Sequence, residues 1–182
     1  MNKKIIIAGF ILLGLFLYPL AGHSAEGGKF GIGVRGGWYK SNDSDDGKMY
    51  GGLQARWKIF PALAIEGVAD YRPEESFSNN RKITSYPVLV SALFYLIPGA
   101  PVSPYLLGGV GWYYSKLEDS RGTTWSNDFG AHLGGGLDIP ISSSLVFNAD
   151  LRYYFLNLDD QKVKDLKTNG YIISAGLTFY FW

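Results

Sequence analysis

Charged side chains that could form ion pairs recur inside segments that are otherwise apolar. In residues 49–59, MYGGLQARWKI, the even-numbered positions include Gln54, Arg56 and Lys58, and the odd-numbered positions include Leu53 and Trp57. Successive side chains of a strand leave opposite faces, so such alternation places the charges together on one face. Buried charges are tolerated only when they are paired and hydrogen-bonded. The pattern predicts a charge network of Arg35, Arg56, Lys58, Glu66, Asp70, Arg72, Asp138, Asp150 and Arg152.

One pair within this network follows from a turn. Two alternating segments, 49–59 and 63–72, are separated by the short connection Phe60-Pro61-Ala62. In an antiparallel hairpin centred near Pro61, Arg56 lies opposite Glu66, at the distance needed by an arginine fork and a carboxylate. Arg35 and Lys58 are candidate additional partners of Glu66. The alternative is that both charges extend to water at the mouth of the interior.

Residues suited to catalysis or metal binding are sparse. His132 is the one histidine after residue 25, and alternation places it on the charged face. An inward histidine of this kind is more often an interior hydrogen-bonding residue than a general base. Acidic residues of two connections, Asp43, Asp45, Asp46, Asp159 and Asp160, are typical of solvated tips more than of calcium ligands. We therefore expect no catalytic residue, no resident metal and no cofactor.

The elements that position these residues are strands, and the clearest is the final segment, 171–182. The odd-numbered positions of this segment include Tyr171, Ile173 and Leu177, while the even-numbered positions include Ser174 and Thr178. A period of two predicts a strand with one wholly apolar face. A strand that faces lipid on one side and a polar lumen on the other has this pattern.

The same alternation predicts seven further strands. We expect them at 29–40, 49–59, 63–72, within 83–96, and at 104–115, 126–139 and 145–155. Connections alternate between short ones with Pro, Gly or Ser (60–62, 97–103, 140–144) and longer charged ones (41–48, 73–82, 116–125, 156–170). An even strand number with alternating short and long connections is typical of bacterial outer-membrane barrels. The predicted fold is all-β, an eight-stranded antiparallel up-and-down transmembrane β-barrel.

The N-terminal segment predicts export. Lys3 and Lys4 precede an apolar run from Ile5 to Leu20, and small residues follow up to Ala25. This is the pattern of a secretory signal peptide, with cleavage after Ala25 or, alternatively, after Ser24. An uncleaved anchor is the other reading, although a spanning helix needs about 20 apolar residues. We expect a signal peptide at 1–25 and one barrel domain at 26–182.

Composition fits this organisation. Hydrophobic residues make up 47% of the chain and charged residues 18%, which suits lipid-facing strands. Without Lys3 and Lys4 the 17 basic residues become 15, against 16 acidic ones, a net charge of −1. This balance gives no electrostatic basis for binding nucleic acid. The chain has no cysteine, which excludes a disulfide framework and a thiolate metal site.

Aromatic residues cluster near the predicted strand ends. Amphipathic rings favour the headgroup level of a membrane, so the clusters predict two girdles. The alternative is the general enrichment of aromatic residues in strands. The predicted girdle residues are Trp38, Trp57, Tyr71, Trp112, Tyr114 and Tyr153.

Several segments in order resemble the small outer-membrane β-barrel family of OmpA and OmpX type. They are 104–116, 129–138 and 149–155, followed by the terminal strand. The resemblance implies this fold and the bacterial outer membrane, with lipid and lipopolysaccharide as surroundings and a monomeric state. Ser174, Gly176, Phe179, Phe181 and Trp182 resemble the C-terminal signal of such barrels, which implies recognition by the barrel-assembly machinery.

The resemblance specifies location better than activity, since one fold hosts many roles. A structural or surface-interaction protein with a closed lumen is the first hypothesis, and a narrow channel for ions or small solutes is the second. A lipid A-modifying enzyme is the third. Barrel deacylases of PagL type use a His-x-Ser pair, and position 134, after His132, is Gly. Palmitoyl transferases of PagP type use a histidine near the extracellular loops, where this chain has none.

Overall fold

The computed structural model describes residues 28–41, 47–77, 81–119, 122–156 and 169–181. In this part of the chain eight strands form a closed barrel in which each strand pairs with its neighbours in sequence and β1 pairs with β8. Every pairing is antiparallel. The strands are β1 Lys29–Ser41, β2 Lys48–Phe60, β3 Leu63–Phe77, β4 Arg81–Tyr95, β5 Ser103–Asp119, β6 Gly122–Pro140, β7 Leu145–Leu156 and β8 Gly170–Phe181. The predicted fold class is confirmed.

Alternation decides which side chains face the lumen. In β8 Ile172, Ser174 and Thr178 are buried, while Ile173 and Leu177 are exposed on the outer surface. The outer surface is apolar around the barrel, and the buried interior holds eight charged side chains of the strands: Arg35, Arg56, Glu66, Asp70, Arg72, Asp138, Asp150 and Arg152. Closure pairs the backbone groups at both edges of the sheet, which is what a sheet requires in lipid.

The inward face of β4 carries few polar residues. Leu89, Ser91, Leu93 and Tyr95 are buried, as the alternation predicts. Pro87, which cannot donate to a ladder, is also buried and lies on the same face. Between Ala69↔Val88 and Arg72↔Ser85 the β3–β4 register continues, and it then shifts by one residue between Arg72 and Glu75. The register shift therefore lies beyond Ser85, toward the outer connection, and not at Pro87 itself.

Two of the predicted long connections are wrong. Residues 73–82 and 116–125 are largely strand, because β3 continues to Phe77, β4 begins at Arg81, β5 continues to Asp119 and β6 begins at Gly122. Register partners extend outward through Lys82↔Glu118. The ladder is made by backbone groups, so charged side chains do not interrupt it where a hairpin continues beyond the apolar layer.

Several predictions lie outside the described residues. They are the signal peptide at 1–25, the acidic residues of the first and last long connections, and Trp182. The six predicted girdle residues all point outward, and Trp38 contacts Tyr171 with 5.6 Å between ring centroids. Their placement at the headgroup level stays a prediction. The described residues contain no helix that is long and apolar enough to cross a membrane.

Leu133 offers a direct test of the outward assignment. It lies in the middle of β6 opposite Gly108, and 55% of its surface is exposed. Leu133→Arg should lower the free energy of unfolding by about 2–4 kcal/mol, because the cation is then placed in hydrocarbon. Denaturant unfolding in lipid vesicles measures this cost. Ser143→Arg, in the exposed 141–144 turn, is the matched control, and equal tolerance at both positions would contradict the assignment.

Candidate functional site in the barrel lumen

Arg56 lies in the lumen and donates hydrogen bonds to two carboxylates. Its Nε donates to Glu66 Oε2 at 2.7 Å, and its Nη1 donates to Asp138 Oδ1 at 2.8 Å. Arg56 and Glu66 are register partners across β2 and β3 and are fully buried. The pair predicted from the turn is therefore present, and the alternative in which both charges reach water is excluded.

Glu66 joins this pair to a second arginine from the far side of the barrel. Arg152 Nη2 donates to Glu66 Oε1 at 2.8 Å, so the two carboxylate oxygens accept from different arginines. Arg152 also contacts Asp150, with its Nε 2.7 Å from Oδ1 and its Nη2 2.9 Å from Oδ2. The result is a continuous chain from Asp138 through Arg56, Glu66 and Arg152 to Asp150.

Arg35 borders this chain at longer range. Its guanidinium nitrogens lie 3.6 Å from Asp70, 3.7 Å from Asp150 and 3.9 Å from Glu66. Its direct hydrogen bonds go to the hydroxyls of Tyr50, at 2.9 Å, and Ser174, at 2.8 Å. Arg35 is therefore an electrostatic partner of Glu66, as predicted, without a direct hydrogen bond to a carboxylate.

Hydroxyl groups complete the shell around the carboxylates. Tyr95 donates to Asp138 Oδ2 at 2.8 Å, and Ser174 donates to Asp150 Oδ1 at 2.6 Å. Tyr105 accepts from Arg56 Nη2 at 3.2 Å. Gly136 makes room for this tyrosine, since a Cβ there would lie 2.6 Å from the Tyr105 hydroxyl oxygen. Gly33, Gly109 and Gly134 instead face backbone carbonyl groups of a neighbouring strand, so they allow close approach of the strands.

Two predicted members of the network have other surroundings. Lys58 is wrong as a partner of Glu66: its Nζ lies 5.0 Å from the ring centroids of both Tyr95 and Tyr180. Lys58 pairs with Ala64, two residues closer to the short turn than Glu66. Arg72 lies in the lumen as predicted, but no described side chain places a carboxylate oxygen within 4.0 Å of it.

A polar cluster that the sequence analysis did not select lies beside the charges. Gln54 Nε2 donates to Asn148 Oδ1 at 3.1 Å and to Thr178 Oγ1 at 2.7 Å, and Asn148 Nδ2 donates to the same hydroxyl at 2.9 Å. All three side chains are buried. The alternation of their strands places all three side chains inward, and a buried amide group needs hydrogen-bond partners as a charged group does.

His132 and Ser91 form a pair in the lumen that has the chemistry of a base and a nucleophile. Ser91 Oγ lies 2.8 Å from His132 Nε2, and both side chains are buried. Arg152 is also near Ser91, with Nη1 at 3.5 Å from Oγ. His132 Nδ1 contacts no carboxylate that would orient the ring. The pair therefore serves as an interior hydrogen bond, and the described residues include no group of three or more metal-ligating side chains.

Comparison with known proteins identifies the class. A family model described as the outer membrane protein beta-barrel domain matches residues 8–179, so the chain belongs to this family of bacterial outer-membrane barrels. No curated protein matches the chain in sequence.

Solved structures of similar fold agree with this assignment. Neisserial surface protein A has a TM-score of 0.65 and 14% identity, covering 84% of this chain and 96% of its own. The N-terminal β-barrel domain of Pseudomonas aeruginosa OprF has a TM-score of 0.60 and 12% identity, covering 83% and 97%. Yersinia pestis Ail, solved with the heparin analogue sucrose octasulfate, has a TM-score of 0.58 and 18% identity, covering 86% and 100%.

Glu66 is the residue whose removal should disturb the lumen most. Glu66→Ala leaves Arg56 and Arg152 without the carboxylate between them, so the free energy of unfolding should fall by about 3–5 kcal/mol. Denaturant unfolding of the refolded barrel measures the change. Asp70→Ala is the matched control on the same face of β3, because Asp70 contacts Arg35 only at 3.6 Å. Equal losses in the two variants would contradict the bridging role of Glu66.

Proposed function

We propose that the protein is a closed outer-membrane barrel with a structural or surface-interaction role: it stabilises the envelope or presents its outer connections for adhesion. The observation that supports this proposal is the Asp138–Arg56–Glu66–Arg152–Asp150 chain. It crosses the lumen from β6 through β2 and β3 to β7, and all five side chains are buried. An eight-stranded barrel is just wide enough for side chains to fill, so this chain leaves no wide path for solutes.

The surface available for interaction is at the end opposite the short turns. Residues 61–62, 96–102 and 141–144 connect strands at one end, together with both ends of the described chain. We assign that end to the periplasm, as in bacterial barrels with short periplasmic turns. The outward-facing end then carries the four remaining connections. The name of Yersinia pestis Ail, an attachment invasion locus protein, gives a precedent for adhesion by a barrel of similar fold.

The expected surroundings follow from the same proposal. The apolar outer surface suits lipid and lipopolysaccharide acyl chains, and a single barrel buries its own edges, so we propose a monomer. Barrel-assembly machinery is the proposed partner during insertion, through the C-terminal strand. The buried Ser91–His132 pair has no exposed face for a substrate, so we propose no enzymatic activity.

Conductance separates the closed barrel from a narrow channel. Wild-type protein in planar bilayers should give no stable openings, because the ion-paired chain leaves no continuous water column. Glu66→Ala should increase the frequency of openings relative to wild type, since it removes the carboxylate that joins two sides of the lumen. Large, stable openings of the wild-type protein would overturn the closed-lumen proposal and favour the channel.

Removing Phe181 and Trp182 tests the assembly signal. The truncated chain should accumulate less folded outer-membrane barrel, because the recognition pattern loses its last aromatic residues. Folded barrels resist SDS until boiled, so the fraction of heat-modifiable protein on a gel measures assembly. The matched control is Phe181→Tyr with Trp182→Phe, which keeps both aromatic rings and should assemble normally. Normal assembly of the truncation would argue against the C-terminal signal.

A further inference from the structure

Arg72 lies in surroundings unlike those of the other lumen arginines. It is 7% exposed, yet its Nε and Nη2 atoms have no hydrogen-bond partner among the described residues. Among the side chains that the structure describes, no carboxylate lies within ion-pair distance of it. A desolvated cation without such partners is costly unless another group stabilises it.

Four tyrosine rings surround this guanidinium. Arg72 Cζ lies 5.2 Å from the ring centroid of Tyr39, 6.0 Å from that of Tyr50, 5.6 Å from that of Tyr113 and 5.1 Å from that of Tyr154. Each distance is within the range of about 6 Å at which the face of a ring attracts a cation. The four rings come from β1, β2, β5 and β7, so they approach Arg72 from several sides of the barrel.

The four tyrosine rings also contact one another and other lumen groups. Tyr39 and Tyr50 form one edge-to-face pair, with centroids 6.2 Å apart, and Tyr113 and Tyr154 form another at 5.9 Å. The Tyr39 hydroxyl donates to the Pro73 carbonyl oxygen at 2.9 Å, and the Tyr50 hydroxyl accepts from Arg35 Nη2 at 2.9 Å. All four rings are buried, so the site is excluded from water.

We propose that Tyr39, Tyr50, Tyr113 and Tyr154 form an aromatic cage for an organic cation of guanidinium or alkylammonium type. Its resident occupant is the head group of Arg72. A free cation takes the same place once that head group is removed. Desolvated aromatic cages are a recognised way to hold such cations. The cage depends neither on the surface role of the barrel nor on whether the lumen conducts, because its contacts are local to Arg72.

Chemical rescue of Arg72→Ala tests the cage. The variant is refolded and melted in low-millimolar guanidinium chloride, with sodium chloride at equal ionic strength as the salt control. Guanidinium should raise the thermal midpoint of Arg72→Ala saturably, because a ligand of the native state stabilises it by mass action. Wild-type protein should give no saturable rise, since Arg72 already occupies the cage. An equal rise in wild type, or none in Arg72→Ala, would overturn the proposal.

Two further comparisons isolate the rings and the charge. Arg72→Ala combined with Tyr154→Leu should lose the rescue, because the closest ring is then missing. Urea, which is planar and neutral, should not replace guanidinium. Rescue that persists without Tyr154, or equal rescue by urea at the same concentration, would show that the cavity binds without cation–π attraction and would overturn the cage.

A measurement on wild-type protein covers the case in which Arg72→Ala does not refold. In ¹⁵N-arginine-labelled barrel, the Arg72 Nε–H proton should be shielded by the surrounding rings and resonate upfield of the Arg56 Nε–H proton. Its assignment follows from its disappearance in Arg72→Lys. An unshielded Arg72 resonance in rapid exchange with water would overturn the proposal whatever the variants do.

Discussion

The need to pair every backbone N–H and C=O group in lipid is the constraint on which the rest of this structure depends. A sheet meets it only by closing, and β1 closes on β8 from Phe30↔Phe181 to Ser41↔Gly170. Closure with eight strands leaves a narrow interior that side chains must fill. The protein is therefore inverted relative to a soluble barrel, because lipid solvates its apolar surface and its polar residues become the core.

A polar core of this kind is stable only if its charges are satisfied within the lumen. Glu66 does most to achieve this, since one oxygen accepts from Arg56 and the other from Arg152. Asp138 and Asp150, at the two ends of this row of ion pairs, accept further hydrogen bonds from Arg56 and Arg152. The contacts of Arg56 with Asp138 and of Arg152 with Glu66 join distant parts of the sequence, so the network also couples strands that are not neighbours. Removing one member is costly for this reason, whereas an isolated surface pair contributes little.

The sequence predicted which side chains face inward but not which of them meet. Alternation is a local property, and the turn at Pro61 was enough to place Arg56 opposite Glu66. The contacts of Arg56 with Asp138 and of Arg152 with Glu66 span 82 and 86 residues, and they depend on the stagger of the closed barrel. The same stagger places Arg72 among tyrosine rings and Lys58 near Tyr95 and Tyr180. Alternation alone predicts only that both residues share a face with carboxylates. The predicted ends of β3 and β5 fall short of the observed ones. Charged side chains indicate exposure to water, whereas the hydrogen-bond ladder is made by backbone groups and continues past them.

Access of a polar reagent to the middle of the lumen tests the closed core most directly. The chain has no cysteine, so a single Ser91→Cys substitution places one thiol beside His132 and Arg152. Ser91 is 1% exposed in the structure. A small charged thiol reagent should leave this cysteine unmodified in the folded barrel and modify it once the protein is unfolded, while Ser143→Cys in the exposed turn reacts in both states. Modification of Ser91→Cys in the folded barrel at the rate of Ser143→Cys would contradict a closed, ion-paired lumen.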